Sequence, residues 1–145
     1  MDKKIITRNS EETINLGEEL GKNILPGEVV LLFGELGAGK TTFVQGFAKG
    51  IGISDRILSP TFVLHRIHRP KNSKIEIVNH IDLYRLEEPT EIDSLGLSEL
   101  FDEQNSVTLI EWADRLKNFK IKKGYEIKFA YINDDEREIV INHYE

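Results

Sequence analysis

Apolar positions along the chain alternate between a period near 3.6 and short unbroken runs, and the switches outline an α/β pattern. Lys3 to Thr7 reads as a short strand, and Asn9 and Ser10 follow as helix N-cap candidates. Glu11 and Glu12 sit in the first turn, where carboxylates suit the positive end of the helix dipole. Ile14, Gly17, Leu20, Gly21 and Ile24 then fall near helical spacing until Pro26-Gly27 stops the helix. VVLLF at 29–33 is wholly apolar, as expected of a strand buried on both faces. After a glycine-rich turn, Phe43, Val44, Phe47, Ala48 and Ile51 mark a second helix, closed by Gly50 and Gly52.

The middle is richer in β-formers. Thr61 to His68 and Lys74 to Arg85 are β-like runs around Arg69-Pro70-Lys71-Asn72-Ser73, which reads as a hairpin. Pro89-Thr90 opens a helix carrying Ile92, Leu95, Leu97, Leu100 and Phe101, and VTLIEW at 107–112 is another buried strand. Tyr125 to Ile132 and Glu138 to Tyr144 form a terminal pair around the turn-forming Asn133-Asp134-Asp135. The expected fold is therefore α/β, one domain over 1–145, with a sheet that mixes parallel and antiparallel pairs and is flanked by helices.

Composition removes whole classes of function. With no cysteine among 145 residues, disulfide frameworks, thiol catalysis and Cys-ligated metal sites are excluded. The longest strongly apolar run, Val29 to Phe33, is far short of the roughly 18–20 residues needed to cross a bilayer, and the N-terminus lacks a secretory h-region. No membrane role and a cytoplasmic location are expected. A net charge of −6 argues against autonomous binding to DNA or RNA. That charge is uneven: Leu86 to Asp114 holds nine acids and no Lys or Arg, whereas Arg115 to Lys128 holds six bases and one acid. The run reads either as a solvated face or as an acidic docking surface.

Gly34-Glu35-Leu36-Gly37-Ala38-Gly39-Lys40-Thr41 matches G-x-x-x-x-G-K-[ST] between a buried strand and an amphipathic helix, the context that a phosphate-binding loop requires. Glycines let consecutive N–H groups turn inward toward a polyphosphate, and the helix opening near Lys40 adds unpaired N–H groups and a positive dipole end. Lys40 is then expected to bridge the β- and γ-phosphates, Thr41 to ligate Mg2+ and Thr42 to reach the α-phosphate. The nucleotide-binding run is Glu35, Leu36, Gly37, Ala38, Gly39, Lys40, Thr41 and Thr42. Guanine-specific P-loop proteins usually carry N-K-x-D; none of the lysines is so placed, which favours ATP.

Phosphoryl transfer also needs a carboxylate at the metal and a group to orient the nucleophile. Glu111 ends a strand of Walker B appearance, and Asp82 lies two residues after His80, on the same strand face. Each has a plainer reading, a solvated strand end for Glu111 and an ion pair with Arg85 for Asp82. Ser59-Pro60-Thr61-Phe62 is either a γ-phosphate-sensing loop or a turn into a strand. His65 and His68 are three apart on a strand and face oppositely, which does not suit zinc.

Taken together, GELGAGKTT at 34–42, SPTF at 59–62, HIDLYRL at 80–86, LGL at 95–97 and LIEW at 109–112 resemble the TsaE family in order and spacing, over nearly the whole chain. The resemblance implies a small P-loop ATPase needed for t6A37 (threonylcarbamoyladenosine) modification of tRNAs reading ANN codons. It implies that Lys40, Thr41 and Thr42 bind ATP–Mg2+, that Glu111 is a magnesium ligand and that Asp82 supports hydrolysis. It also implies that Ser10 lies near the nucleotide and that Arg137 flanks the base, while Trp112 is similar to the family's tryptophan after the metal-binding acid. The implied partners are TsaD and TsaB, whose synthase complex the ATPase resets, with tRNA met only through that complex. Two other readings compete: a small-molecule kinase, which needs a lid with paired arginines where only Arg56, Arg66, Arg69 and Arg85 are at hand, and a non-catalytic nucleotide sensor.

Overall fold

The unbroken apolar run at 29–33 forms the centre of the sheet. In the computed structural model, which describes residues 2–35, 38–53, 65–71, 73–83, 96–116 and 121–144, β2 (Val29–Phe33) lies between β5 (Ser106–Glu111) and β6 (Gly124–Tyr131), parallel to both. Its side chains alternate between two cores: Val30 and Leu32 join Phe43, Phe47, Leu109 and Ile127 on one face, while Val29 and Leu31 join Ile81, Leu83 and Ile110 on the other. Burial on both faces is why the run shows no polar alternation.

Among the described residues, four more strands extend the sheet. β4 (Ile77–Asp82) continues the parallel set beside β5, and β3 (His65–His68) closes that edge antiparallel to β4. On the other side β7 (Arg137–Tyr144) pairs antiparallel with β6, and β1 (Asp2–Thr7) pairs antiparallel with β7. The order is β1-β7-β6-β2-β5-β4-β3, a mixed parallel and antiparallel sheet flanked by helices, as the chain's pattern predicts. The β3–β4 and β6–β7 hairpins also follow that pattern; residues 61–64, 84 and 85 of the middle runs lie outside the described residues. No helix among the described residues is long and apolar enough to cross a membrane.

Helix α1 (Ser10–Asn23) is capped by Asn9, whose Oδ1 accepts the Glu12 N–H at 2.9 Å. Ser10 is therefore the first helical residue rather than the cap. Helix α2 (Lys40–Ile51) packs on α1 through glycines of both: a Cβ built at Gly46 would stand 2.0 Å from the Ile14 carbonyl oxygen, and one at Gly17 2.2 Å from that of Phe43. Gly50 belongs to the same contact, 2.1 Å from the Glu18 carbonyl oxygen, so it does not close α2 as its residue type suggests; Gly52, at φ +97, does. Because the contacts Ile14–Gly46 and Glu18–Gly50 advance together, the helices run in the same direction and bring both N-termini to one end of the sheet.

The opposite face is covered by α3 (Leu97–Asp102) and a 3-10 turn at Ala113–Arg115. Gly96 caps α3 at φ +65, so a helix opened at Pro89 does not run unbroken into it; residues 84–95 lie outside the described residues.

Candidate active site

Parallel strands leave their carboxyl ends along one edge, and the described chemistry gathers there. Leu32 of β2, Glu111 of β5 and Asp82 of β4 stand in one register row, one residue before the end of β2 and at the ends of the other two. Glu111 shares the face of Leu109, and Asp82 that of Val78, which is the face covered by α2. The P-loop leaves β2 at Gly34 and re-enters helix at Lys40, so the first residue of α2 arrives beside the two carboxylates. Gly39 makes the entry at φ +102, a left-handed conformation costly for a side chain with a Cβ. Gly34 N–H donates to Asp114 Oδ1 at 3.3 Å, tying the loop's start to the turn that follows β5.

Asp82 and Glu111 are 8% and 3% exposed, an arrangement that calls for positive charge. Lys40, itself 5% exposed, lies near both. Its Nζ donates to the Gly34 carbonyl oxygen and stands 3.4 Å from the centre of the Trp112 ring. Burial pulls the Lys40 pKa below its usual value, opposed by the nearby Asp114, Glu111 and Asp82 carboxylates. Trp112 is the one non-glycine residue at positive φ among the described residues, at +59. Such strain costs about 1–3 kcal/mol and persists where surroundings over-determine it.

Ser10 and Arg137, distant in sequence, meet across α2's N-terminus. With Thr13, Gly39, Thr42, Asp134 and Asp135 they line a cavity of about 130 Å³. The parallel packing of α1 on α2 puts Ser10 there, and the β6–β7 turn brings Arg137, whose Cγ lies 3.4 Å from where a Cβ at Gly39 would sit. Glu35 is exposed, Ala38 buried, Thr41 exposed and Thr42 half-buried. Leu36 and Gly37 lie outside the described residues, as do the SPTF segment, Arg56 and Arg85.

The donor set suits magnesium. Two carboxylates and the Thr41 hydroxyl are hard oxygen donors, and Mg2+ is usually held by one or two carboxylates with phosphate oxygens and water rather than by a protein cage.

Three features of this edge have no sign in the chain read linearly. His80 Nε2 lies 2.6 Å from Glu111 Oε2, although the two are 31 residues apart. Asp114 holds the P-loop. Asp134 and Asp135 line the cavity. The uneven charge also changes meaning in space: Asp102 and Glu103 share a cavity of about 630 Å³ with Lys122 and Lys123 at the opposite edge of the sheet, and Glu111 is buried. Four more acids of that stretch, Glu87, Glu88, Glu91 and Asp93, lie outside the described residues.

Residues 7–139 match the family model described as Threonylcarbamoyl adenosine biosynthesis protein TsaE. Over 141 residues the chain is 40% identical to the tRNA threonylcarbamoyladenosine biosynthesis protein TsaE of a Nostoc species, spanning 95% of this chain and 84% of that protein. It is 40% identical over 133 residues to the protein of the same description from Bacillus subtilis, spanning 92% and 80%. The crystal structure of Bacillus subtilis YdiB superposes with a TM-score of 0.79 at 34% identity, covering 100% of this chain and 87% of that one.

Proposed function

The chain belongs to the TsaE family, and on that premise we propose that it binds and hydrolyses ATP–Mg2+ as a cytoplasmic accessory subunit of tRNA t6A synthesis, resetting a TsaD–TsaB complex that itself carries the tRNA. The observation that carries this reading is the register row of Asp82 and Glu111 beside the P-loop helix, with Lys40 between loop and carboxylates.

Each residue then has a task. Lys40 exchanges the Gly34 carbonyl and the Trp112 face for the β- and γ-phosphates, and the N–H groups at the start of α2 face the polyphosphate. Thr42 sits toward the α-phosphate. Ser10 and Arg137 flank the nucleoside side of the site. Thr41 and Glu111 would hold the magnesium, and Asp82, in register with Glu111, would support hydrolysis beside it. Bound with ATP, Mg2+ supplies neutralisation of the charge that develops on the phosphoryl oxygens. Ordering of the site by partners makes hydrolysis slow in the isolated chain and faster in the complex.

The test is phosphate release from ATP with and without TsaD and TsaB, repeated with Lys40→Ala, Asp82→Ala and Glu111→Ala. Stimulation by the partners and loss in all three variants are expected. Phosphoryl transfer to a metabolite would instead mark a kinase, and tight binding without turnover in the full complex a sensor.

Two further outcomes follow from Lys40. Trp112 is the chain's one tryptophan, so withdrawing the ammonium from its ring on ATP binding is expected to change intrinsic fluorescence. Lys40→Ala should abolish the ATP-dependent change. The second concerns protons. Free Lys40 loses its proton at lower pH than an ordinary lysine, whereas phosphate oxygens favour the ammonium and raise the pKa again. Between those two values nucleotide binding must take up a proton. Calorimetry in alkaline buffers of different ionisation enthalpy should detect that uptake in the parent and lose it in Lys40→Ala.

A further inference from the structure

The Glu111 carboxylate is held from a neighbouring strand. His80 is 0% exposed, and its Nε2 lies 2.6 Å from Glu111 Oε2. Two residues later on the same strand face comes Asp82, directly opposite Glu111. The phosphate-binding and metal-binding roles assigned above make no use of His80. The ring also lies near that of His68, with ring centres 6.1 Å apart.

We infer that His80 is a positioning residue, whose Nε2–H holds one oxygen of Glu111 so that the carboxylate is oriented for the magnesium ion before ATP arrives. A carboxylate that serves as a metal ligand is ionised and only accepts, so in that role the contact has His80 donating. The other ring nitrogen, Nδ1, has no hydrogen-bond partner among the described residues. The Nε2–H tautomer is the one that presents a hydrogen to the carboxylate and leaves Nδ1 as an acceptor. Metal-ligating side chains are commonly oriented by such outer hydrogen bonds. Bonding one oxygen also limits rotation of a side chain that otherwise presents either oxygen, or neither, to a cation. The inference rests on the reading of Glu111 as a metal ligand.

The test separates nucleotide binding from metal binding in the full chain. Four variants are compared with the parent: His80→Phe keeps a ring without a donor, His80→Gln returns an amide donor near the Nε2 position, His80→Asn carries an amide too short to reach, and Glu111→Gln removes the ligand charge. ADP affinity is measured without metal, and Mn2+ affinity by electron paramagnetic resonance on the ADP-loaded protein. With metal-free ADP affinity changed by less than about threefold, His80→Phe should weaken Mn2+ binding about 10–100-fold, and His80→Gln should recover most of that loss. Should the Phe variant not fold, Gln against Asn carries the same comparison, with Gln binding Mn2+ at least about 10-fold more tightly. Parent-like Mn2+ binding in His80→Phe, or equal binding by Gln and Asn, overturns the inference while a weakened Glu111→Gln leaves the metal-ligand reading standing. Parent-like Mn2+ binding in Glu111→Gln overturns both.

Discussion

Lys40→Ala is expected to lower ATP turnover by about 10²–10³-fold, the loss typical when one preorganised group opposing developing transition-state charge is removed. The local arrangement indicates why the loss is chemical rather than structural. Lys40 opens α2, so a smaller side chain there leaves the β2–loop–helix path intact. Its ammonium is held in a buried site that already disfavours the charged form, so its removal relieves a desolvation cost while giving up the Gly34 and Trp112 contacts and the attraction of the Asp114, Glu111 and Asp82 carboxylates. Burial outweighs that attraction, so the terms oppose each other and the melting temperature should move by only a few degrees, about 1 kcal/mol or less. Phosphate release and thermal melts on the same preparation check the pair of outcomes. A large fall in melting temperature would assign Lys40 to the fold instead.

The second large effect is on stability and runs against helix propensity. Alanine in place of a helical glycine ordinarily stabilises by about 1 kcal/mol. Gly46→Ala is expected to destabilise by about 1–3 kcal/mol or more, because a Cβ has no room between two helices in backbone contact. It would lie 2.0 Å from the Ile14 carbonyl oxygen, and the obstacle is backbone, which cannot rotate aside. Gly17→Ala meets the Phe43 carbonyl oxygen at 2.2 Å and should behave alike. Separating the helices once relieves both clashes, so the double variant should lose less than the two single losses added together. Urea denaturation reads this as lower midpoints with little change in slope. Nucleotide affinity should fall too, since α1 brings Ser10 to Thr42. Additive losses, or a stabilised Gly46→Ala, would contradict this account of the helix pair.

Those glycines also mark where linear reading stops. The P-loop is legible because its parts are contiguous and each type has a local reason: glycines for the turns, Lys40 for charge, an apolar strand before and an amphipathic helix after. VVLLF is legible because burial on both faces leaves one signature. Gly50 is not, because the same residue type serves as a helix stop and as a point of close backbone approach, and only the partner helix distinguishes them. The link between His80 and Glu111 needs the β4–β5 register, which no spacing within either segment reveals. The expectation for Ser10 and Arg137 comes from family resemblance alone; the packing of α1 and the β6–β7 turn bring both to the cavity beside Gly39 and Thr42. The acidic and basic runs are separate in the chain, yet folding brings Asp102 and Glu103 to the same cavity as Lys122 and Lys123, which only the fold reveals. The left-handed backbone of Trp112 has no sequence signal at all, since the residue type disfavours it.

The central claim is that this chain spends ATP to let another assembly turn over. The most direct measurement is the yield of t6A per TsaD–TsaB complex, with tRNA in excess and this chain supplied as parent, Lys40→Ala or Glu111→Gln. Repeated turnover with the parent alone, and about one product per complex with either variant or with no chain, is the predicted result. Equal multiple turnover without the chain, or with Lys40→Ala, would contradict it.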